Sequence, residues 1–468
     1  MRFLHAAART HAAFDDEHVI AYAGLEPVMR LAERCGLTAL AGEHVAVGDR
    51  RGVNAPAKLA SIVAGMACGA DSIDDLDALR HGGMDKLFDG IRAPSTLGSF
   101  LRCLRWGNVR QIEKVGRGLL AELARHTPLL PGADVLAFLD VDSMQRRTYG
   151  YNKQGSGFGH TKIQGKSVLV RGLNVLLATV STPLAAPVVT GTRLRGGKAG
   201  SARGAGSFIA ESITTARSAG ACGTLVMRGD SAFYTAAAIG ACRRADVRFS
   251  VTAKMDPKIK AAIAAIPEDA WVAIKYPNAI FDDQAGCWVS DAEIAEITYT
   301  AFASKKGQAV TARLIVRRVK HLNPAAACGQ DEIFPLYRYH PVFTDSPFHL
   351  VQAEAQHRDH AIIEQVNADL IDGPLTHLPS GDFNANAAWL TCAAITHNLL
   401  RATGCLAGAH HARARGGTLR RHLIDVPARL ARHGRGHITL HLPEHWRWRT
   451  AWINAFDAVH HPPPTRAA

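Results

Sequence analysis

Acidic residues at three separate positions of the chain have the chemistry needed to hold divalent metal ions. Asp140 and Asp142 end one apolar run, and Asp230 ends a second. Glu364 lies much later, in a stretch whose apolar residues recur at helical spacing. Two aspartates at strand ends and a glutamate on a helix can converge on a pair of divalent ions, and such pairs cut and join phosphodiester bonds.

Each of these acids also has a structural interpretation. An aspartate after an apolar strand is a common turn former or helix cap, and a helix glutamate is usually solvated. Asp140 and Asp142 are two residues apart, so on a strand they point to the same face. Their mutual repulsion predicts either a metal ion or a basic partner from the segment after Ser143. Asp140 is thus either a supporting ligand or a solvated strand end.

The composition favours a polyanionic partner. The 468 residues are 47% hydrophobic, enough for a large core divided into two or three domains, and the net charge is +13. Residues 143–210 contain ten Lys or Arg and no acid, and residues 401–450 contain ten Arg against two acids. These two segments, in which nearly all charges are positive, predict contacts with a phosphate backbone. The alternative, a proteome generally rich in Arg and Ala, would explain the high net charge but not its concentration in two segments.

The periodicity of apolar residues predicts a mixed α/β core preceded by helices. The helices before residue 130 suit a DNA-binding module or, equally, a bundle packed on a catalytic core. Residues 254–350 are long enough to be an insertion with its own sheet, in which Ser290–Ile297 is predicted to be helical. The predicted domains are 1–130, helical and DNA-binding; 131–253, the first part of the catalytic core; 254–350, a β-rich insertion; 351–405, the second part of the core with the glutamate helix; and 406–468, a basic C-terminal tail.

Several other functional classes lack their sequence signatures. The nine cysteines form no C-x-x-C pair, which indicates reduced thiols in a cytoplasmic protein rather than a zinc finger. There is no H-E-x-x-H, no phosphate-binding P-loop and no G-x-S-x-G nucleophile elbow. Neither a membrane-spanning apolar run nor a signal-peptide core is visible. We therefore expect a cytoplasmic protein.

Four motifs, taken in order, resemble those of bacterial insertion-sequence DDE transposases, and of the insertion-sequence-1380 family in particular. They are Leu139-Asp-Val-Asp-Ser, Arg228-Gly-Asp-Ser-Ala-Phe, the helix around Glu364, and Leu378-Pro-Ser-Gly-Asp-Phe-Asn-Ala-Asn-Ala-Ala-Trp-Leu. The resemblance covers most of the chain and implies a bacterial protein associated with the nucleoid. It implies a ribonuclease-H-like catalytic core with a β-rich insertion before the glutamate.

The resemblance also implies roles for individual residues. Asp142, Asp230 and Glu364 would be the catalytic triad and would bind two Mg²⁺ or Mn²⁺ ions, with Asp142 the principal first ligand and Asp140 its helper. The implied partners are double-stranded DNA with terminal inverted repeats, target DNA and a second copy of the chain in a homodimer on DNA. The residues predicted to contact DNA are Arg146, Arg147, Lys153, Lys162, Lys166, Arg228 and Arg358.

Three positions depart from the family pattern. Related transposases have Tyr and Arg before the glutamate and Lys after it, where this chain has His357, His360 and Ile371. Arg358 is the predicted replacement for the phosphate contact. The leading hypothesis is a cut-and-paste transposase. The alternatives are a catalytically inactive DNA-binding derivative and a metal-dependent nuclease without strand transfer.

Overall fold

The computed structural model describes residues 1–461 apart from residues 3, 164–165, 278, 285, 305 and 321–336, and it leaves undescribed the side chains of residues 162, 163, 166 and 167. Within the described part of the chain, none of the helices is both long and apolar enough to cross a membrane. The α-helices are α1 Leu25–Arg34, α2 Leu37–His44, α3 Ala55–Ala67, α4 Met84–Leu87, α5 Pro94–Cys103, α6 Trp106–His126, α7 Ala205–Ser218, α8 Ala236–Arg244, α9 Pro257–Ala264, α10 Leu350–Arg358, α11 Ile363–Ile371, α12 Phe383–Ala407, α13 Ala409–Ala412, α14 Gly416–Leu419 and α15 Arg449–His460.

Most of the described strands belong to one large mixed sheet. Their order across it is β3-β4-β2-β6-β7-β13-β12-β11-β8, and β5 also pairs with β4. The strands are β1 Val19–Ile20, β2 Leu136–Arg147, β3 Gly157–Ile163, β4 Lys166–Thr182, β5 Ala185–Gly196, β6 Thr224–Gly229, β7 Arg248–Thr252, β8 Val272–Ala273, β9 Ile280–Asp282, β10 Cys287–Val289, β11 Ala292–Ala301, β12 Val310–Lys320, β13 Tyr337–Thr344, β14 Ala428–Arg432 and β15 Ile438–His441. A mixed α/β architecture was predicted and is confirmed.

The centre of the sheet positions the acidic residues. Strands β2, β4 and β5 are antiparallel, whereas β6 and β7 run parallel to β2. Helix α7 connects β5 to β6, and α8 connects β6 to β7. Strand β6 is buried along nearly its whole length, as expected for a parallel strand covered on both faces.

Helix α12 forms the centre of the hydrophobic core. Its residues are buried around the whole circumference, and it contacts α3 and α6 on the N-terminal side as well as β5 of the sheet. Asn398 bonds the helix to β5 of the sheet. Its side-chain oxygen accepts a hydrogen bond of 2.7 Å from the backbone N–H of Val189, and its side-chain nitrogen donates one of 2.8 Å to the carbonyl oxygen of the same residue. The N-terminal helices therefore share one continuous core with the sheet.

The segment between the acids extends the main sheet. Strand β13 pairs with β7, and β12 and β11 continue outward from it. The expectation of a separate sheet was wrong, although β9 and β10 form a small hairpin. The helix predicted for Ser290–Ile297 was also wrong: these residues contribute to β11, which pairs with β12 on one side and β8 on the other. Helix α9, in contrast, lies within the predicted helical segment Lys254–Ala264.

The C-terminal segment folds back on the N-terminal one. Strand β14 pairs with β1 and β15, which gives a three-stranded antiparallel sheet. Helix α15 packs against α1 and α12. Arg429 and Arg432 on β14 and Arg449 on α15 therefore belong to elements that pack against the N-terminal segment.

Candidate active site

Asp142, Asp230 and Glu364 line one cleft of about 580 Å³. The strand register explains how the first two meet. Parallel strands β2 and β6 pair Asp140 with Arg228 and Val141 with Gly229, so the next residue of each chain segment is an aspartate. Asp142 continues along β2, whereas Asp230 directly follows the end of β6.

Glu364 reaches the cleft from a helix that begins beside it. Helix α10 ends at Arg358, a 3₁₀ turn covers Asp359–Ile362, and α11 then starts, which breaks the continuous helix that the sequence suggested. On α11 the buried face is formed by Ile363, Val366 and Leu370, while Glu364 is exposed to the cleft. The break in the helix places Glu364 in the first turn of α11.

Asp142 has an environment built to hold a carboxylate. Its Oδ1 accepts a hydrogen bond of 2.6 Å from the backbone N–H of Ser143, and its Oδ2 accepts one of 2.8 Å from Nδ2 of Asn367. Burial raises the pKa of Asp142, these hydrogen bonds oppose the rise, and the negative charges of Asp230 and Glu364 add to it. The three carboxylates therefore repel one another across the cleft, and a cation would relieve this repulsion.

Asn367 was not among the site residues predicted from the sequence. It lies three residues after Glu364, so the two side chains share a face of α11. This spacing was the available signal. Asp230 also has the structural role considered for it, because its Oδ1 accepts a hydrogen bond of 2.9 Å from the backbone N–H of Ala232 and caps a short 3₁₀ turn.

Asp140 and Arg228 form a buried ion pair. The two side chains are 1% and 2% exposed, and Nε and Nη2 of Arg228 donate hydrogen bonds of 2.6 and 2.7 Å to the two carboxylate oxygens. Nη1 donates a third, of 2.6 Å, to the carbonyl oxygen of Gln356, and the guanidinium covers the ring of Phe138. This arrangement does not fit the predicted roles of Asp140 as a metal ligand and Arg228 as a DNA contact, because neither group is free or accessible.

The two histidines at positions where related transposases have Tyr and Arg differ in their surroundings. His357 is buried between the hydroxyl groups of Ser250 and Thr252 on β7, with both ring nitrogens 3.0 Å from them. Burial lowers the pKa of His357 to about 3, so its ring is neutral near pH 7. His360 stacks on that ring and lines the cleft. Ile371 ends α11 and accepts a hydrogen bond from Thr376 at its carbonyl oxygen.

The residues predicted to contact DNA differ in their exposure and in whether their side chains are already bonded within the protein. Arg147 is exposed and lies over the ring of Tyr149, whereas Arg146 donates to the carbonyl oxygen of Thr376. Nζ of Lys153 donates hydrogen bonds of 3.2 and 2.9 Å to two backbone carbonyl groups after α11, and Arg358 is paired with Glu354. The side chains of two further predicted contacts lie outside the described residues; these are Lys162 and Lys166.

A family comparison covers nearly the whole chain. A family model described as "Transposase DDE domain group 1" matches residues 4–463. No curated protein sequence matches the chain. The chain therefore belongs to the DDE transposases, a family of DNA-transposition enzymes that generally use divalent metals.

Proposed function

We propose that this DDE transposase cuts the inverted-repeat ends of an insertion sequence and transfers the cut strands to target DNA, with Asp142, Asp230 and Glu364 as its catalytic carboxylates. The supporting observation is that three acids far apart in sequence line one cleft. Membership of the insertion-sequence-1380 family is part of the proposal, on the strength of the motifs around these acids.

A ribonuclease-H-like core is the proposed framework. Three antiparallel strands, β2, β4 and β5, are followed by the parallel strands β6 and β7, each entered through a helix. The order across the sheet is β5-β4-β2-β6-β7. Asp142 lies on β2, the first of these strands, and Asp230 directly follows β6, the fourth. Because β2 and β6 are parallel, both aspartates lie towards the same edge of the sheet.

The three carboxylates fit a divalent metal centre. Hard cations such as Mg²⁺ prefer carboxylate oxygens, and Asp142 is held by hydrogen bonds while facing two further negative charges. When bound, two such ions would activate the attacking oxygen and stabilise the leaving one. Asp142, Asp230 and Glu364 are the residues that would hold them.

The protein groups around the carboxylates have positioning functions. Asn367 and the backbone of Ser143 orient Asp142, and the N–H of Ala232 orients Asp230. Arg147 is placed on the same strand as Asp142 and is exposed, so it is the proposed contact to a DNA phosphate. Such a contact fixes the position of the backbone without reading its sequence. A homodimer that pairs two DNA ends completes the proposal.

The test uses DNA that carries the sequences flanking the gene, and it measures binding, cleavage and strand transfer in Mg²⁺ and in Mn²⁺. We expect D142N, D230N and E364Q to bind this DNA but to lose cleavage. The matched control is D359N, because Asp359 is exposed and lies one turn before Glu364 but does not line the cleft.

The outcomes separate the alternatives. Cleavage by the wild type without strand transfer would indicate a nuclease, and binding without cleavage an inactive derivative. Full cleavage by D142N and E364Q would overturn the assignment of the site.

A further inference from the structure

Three histidines come together in the C-terminal segment, on different elements from the acidic cleft. His410 and His411 lie on the short helix α13, and His422 lies on a short π-helical turn, Arg420–Ile424. One ring nitrogen from each lies within 4.8 Å of the other two. The group is well anchored, since His411 is buried and the indole of Trp446 donates a hydrogen bond of 3.0 Å to the carbonyl oxygen of His422.

We propose that His410, His411 and His422 form a binding site for a transition-metal ion such as Zn²⁺. Imidazole nitrogen is a preferred ligand of Zn²⁺, Co²⁺ and Ni²⁺, and three histidines are a known zinc-binding set. No fourth His, Cys, Asp or Glu ligand joins the group among the described residues, so solvent would complete the coordination.

The spacing of two of the nitrogens already suits a bound ion. Two nitrogens bound to one tetrahedral zinc at about 2.0–2.1 Å would lie about 3.3–3.4 Å from each other. Nε2 of His411 and Nδ1 of His422 are 3.3 Å apart. His410 is exposed, so its ring can adjust to bring the third nitrogen into place.

The surroundings favour a metal that bonds to nitrogen over one held by charge. The guanidinium groups of Arg421 and Arg447 lie near His422, and among the described residues no carboxylate belongs to the group, so a cation must be held here by coordination to nitrogen rather than by charge. A hard cation such as Mg²⁺, which prefers oxygen ligands, would gain little here. The site is thus chemically distinct from the acidic cleft.

A bound ion would join segments that are separate along the chain. It would tie α13 to the π-helical turn, against which Trp448 packs with its ring 4.0 Å from that of His422. Trp448 leads directly into α15, which packs on α12. The ion would therefore stabilise the junction between the C-terminal segment and the core, independently of DNA cleavage.

The experiment titrates the metal-free full-length protein with Zn²⁺, and separately with Co²⁺, in excess Mg²⁺ to occupy carboxylate sites. We expect one tight Zn²⁺ ion per chain. We expect H410N and H422N to weaken this binding by more than about 100-fold, since losing even a residue that only hydrogen-bonds to a metal ligand costs roughly 10–100-fold. H445N is the matched control, because His445 is exposed on the same segment and does not belong to the group.

Two further readouts keep the test decisive. His410 is exposed, so H410N should fold normally in the absence of metal, as circular dichroism and thermal unfolding will show. Co²⁺ or Ni²⁺ should quench the fluorescence of Trp448, and W448F should lose this part of the signal. If the wild type, H410N and H445N bind Zn²⁺ with equal affinity, the histidines are only a packed aromatic cluster and the proposal is wrong.

Discussion

The ion pair between Asp140 and Arg228 allows a quantitative prediction about folding. Replacing Arg228 with Met keeps most of the side-chain volume but leaves the carboxylate of Asp140 buried without its partner. Both side chains are nearly inaccessible, and two hydrogen bonds of 2.6 and 2.7 Å join them. Removing one member of such a pair costs about 3–5 kcal/mol, a large part of the roughly 5–15 kcal/mol that stabilises a folded protein.

The double variant D140L/R228M distinguishes the energetic contribution of the ion pair from that of side-chain packing. Replacing both charges with apolar residues removes the unpaired charge, so its stability should be close to that of the wild type. The measurement is urea denaturation followed by circular dichroism and tryptophan fluorescence. If R228M loses less than about 1 kcal/mol, or the double variant loses the sum of the two single changes, the pair does not have the predicted energy.

The pH dependence of R228M provides a second check. Burial already raises the pKa of Asp140 above its ordinary value of 3.8, and the positive charge of Arg228 opposes that rise. Without Arg228 the folded-state pKa rises further while the unfolded value stays the same. The folded state then binds the proton more tightly, so the variant loses stability as pH rises above 3.8. Its deficit relative to the wild type should shrink as the pH is lowered from 7 towards 4.

Three other predictions concern single side chains. N367A should lower DNA cleavage about 10–100-fold with little change in the unfolding midpoint, because Asn367 orients the carboxylate of Asp142; equal losses of cleavage and stability would contradict this. H357Q should reduce the acid sensitivity of folding between about pH 6.5 and pH 3, because the buried ring of the wild type must stay neutral while the unfolded chain takes up a proton; unfolding curves across this range test it, and parallel curves would refute it. R147A should weaken DNA binding uniformly across sequences and reduce the slope of log affinity against log salt by about 1, whereas R244A, an exposed arginine on α8, should leave both unchanged.

The local elements of the catalytic region could be predicted because their sequences are consistent with their structures. The apolar runs before Asp142 and Asp230 form β2 and β6 as expected, but the prediction that Asp142 ends its strand was wrong, because β2 continues to Arg147. The alternating Ala, Glu and Ile residues of β11 were mistaken for a helix, because alanine and glutamate favour helices in isolation and the pairing on both sides of the strand overrode this preference. The expectation that a basic partner would come from the segment after Ser143 was wrong for Asp140, since its partner Arg228 lies 88 residues away and only the sheet register brings the two together.

The same register separates a structural acid from a proposed catalytic one. Asp140 and Asp142 project from the same face of β2, but Asp140 is paired across the sheet with Arg228, which is still inside β6. Two residues later β6 has ended, and Asp142 faces Asp230 instead of a base. The charge of Asp140 is neutralised within the protein, whereas that of Asp142 meets two further carboxylates in an open cleft. The electrostatics therefore favour an exogenous cation at Asp142 and not at Asp140, and the end of strand β6 is what leaves the proposed catalytic aspartate without a basic partner.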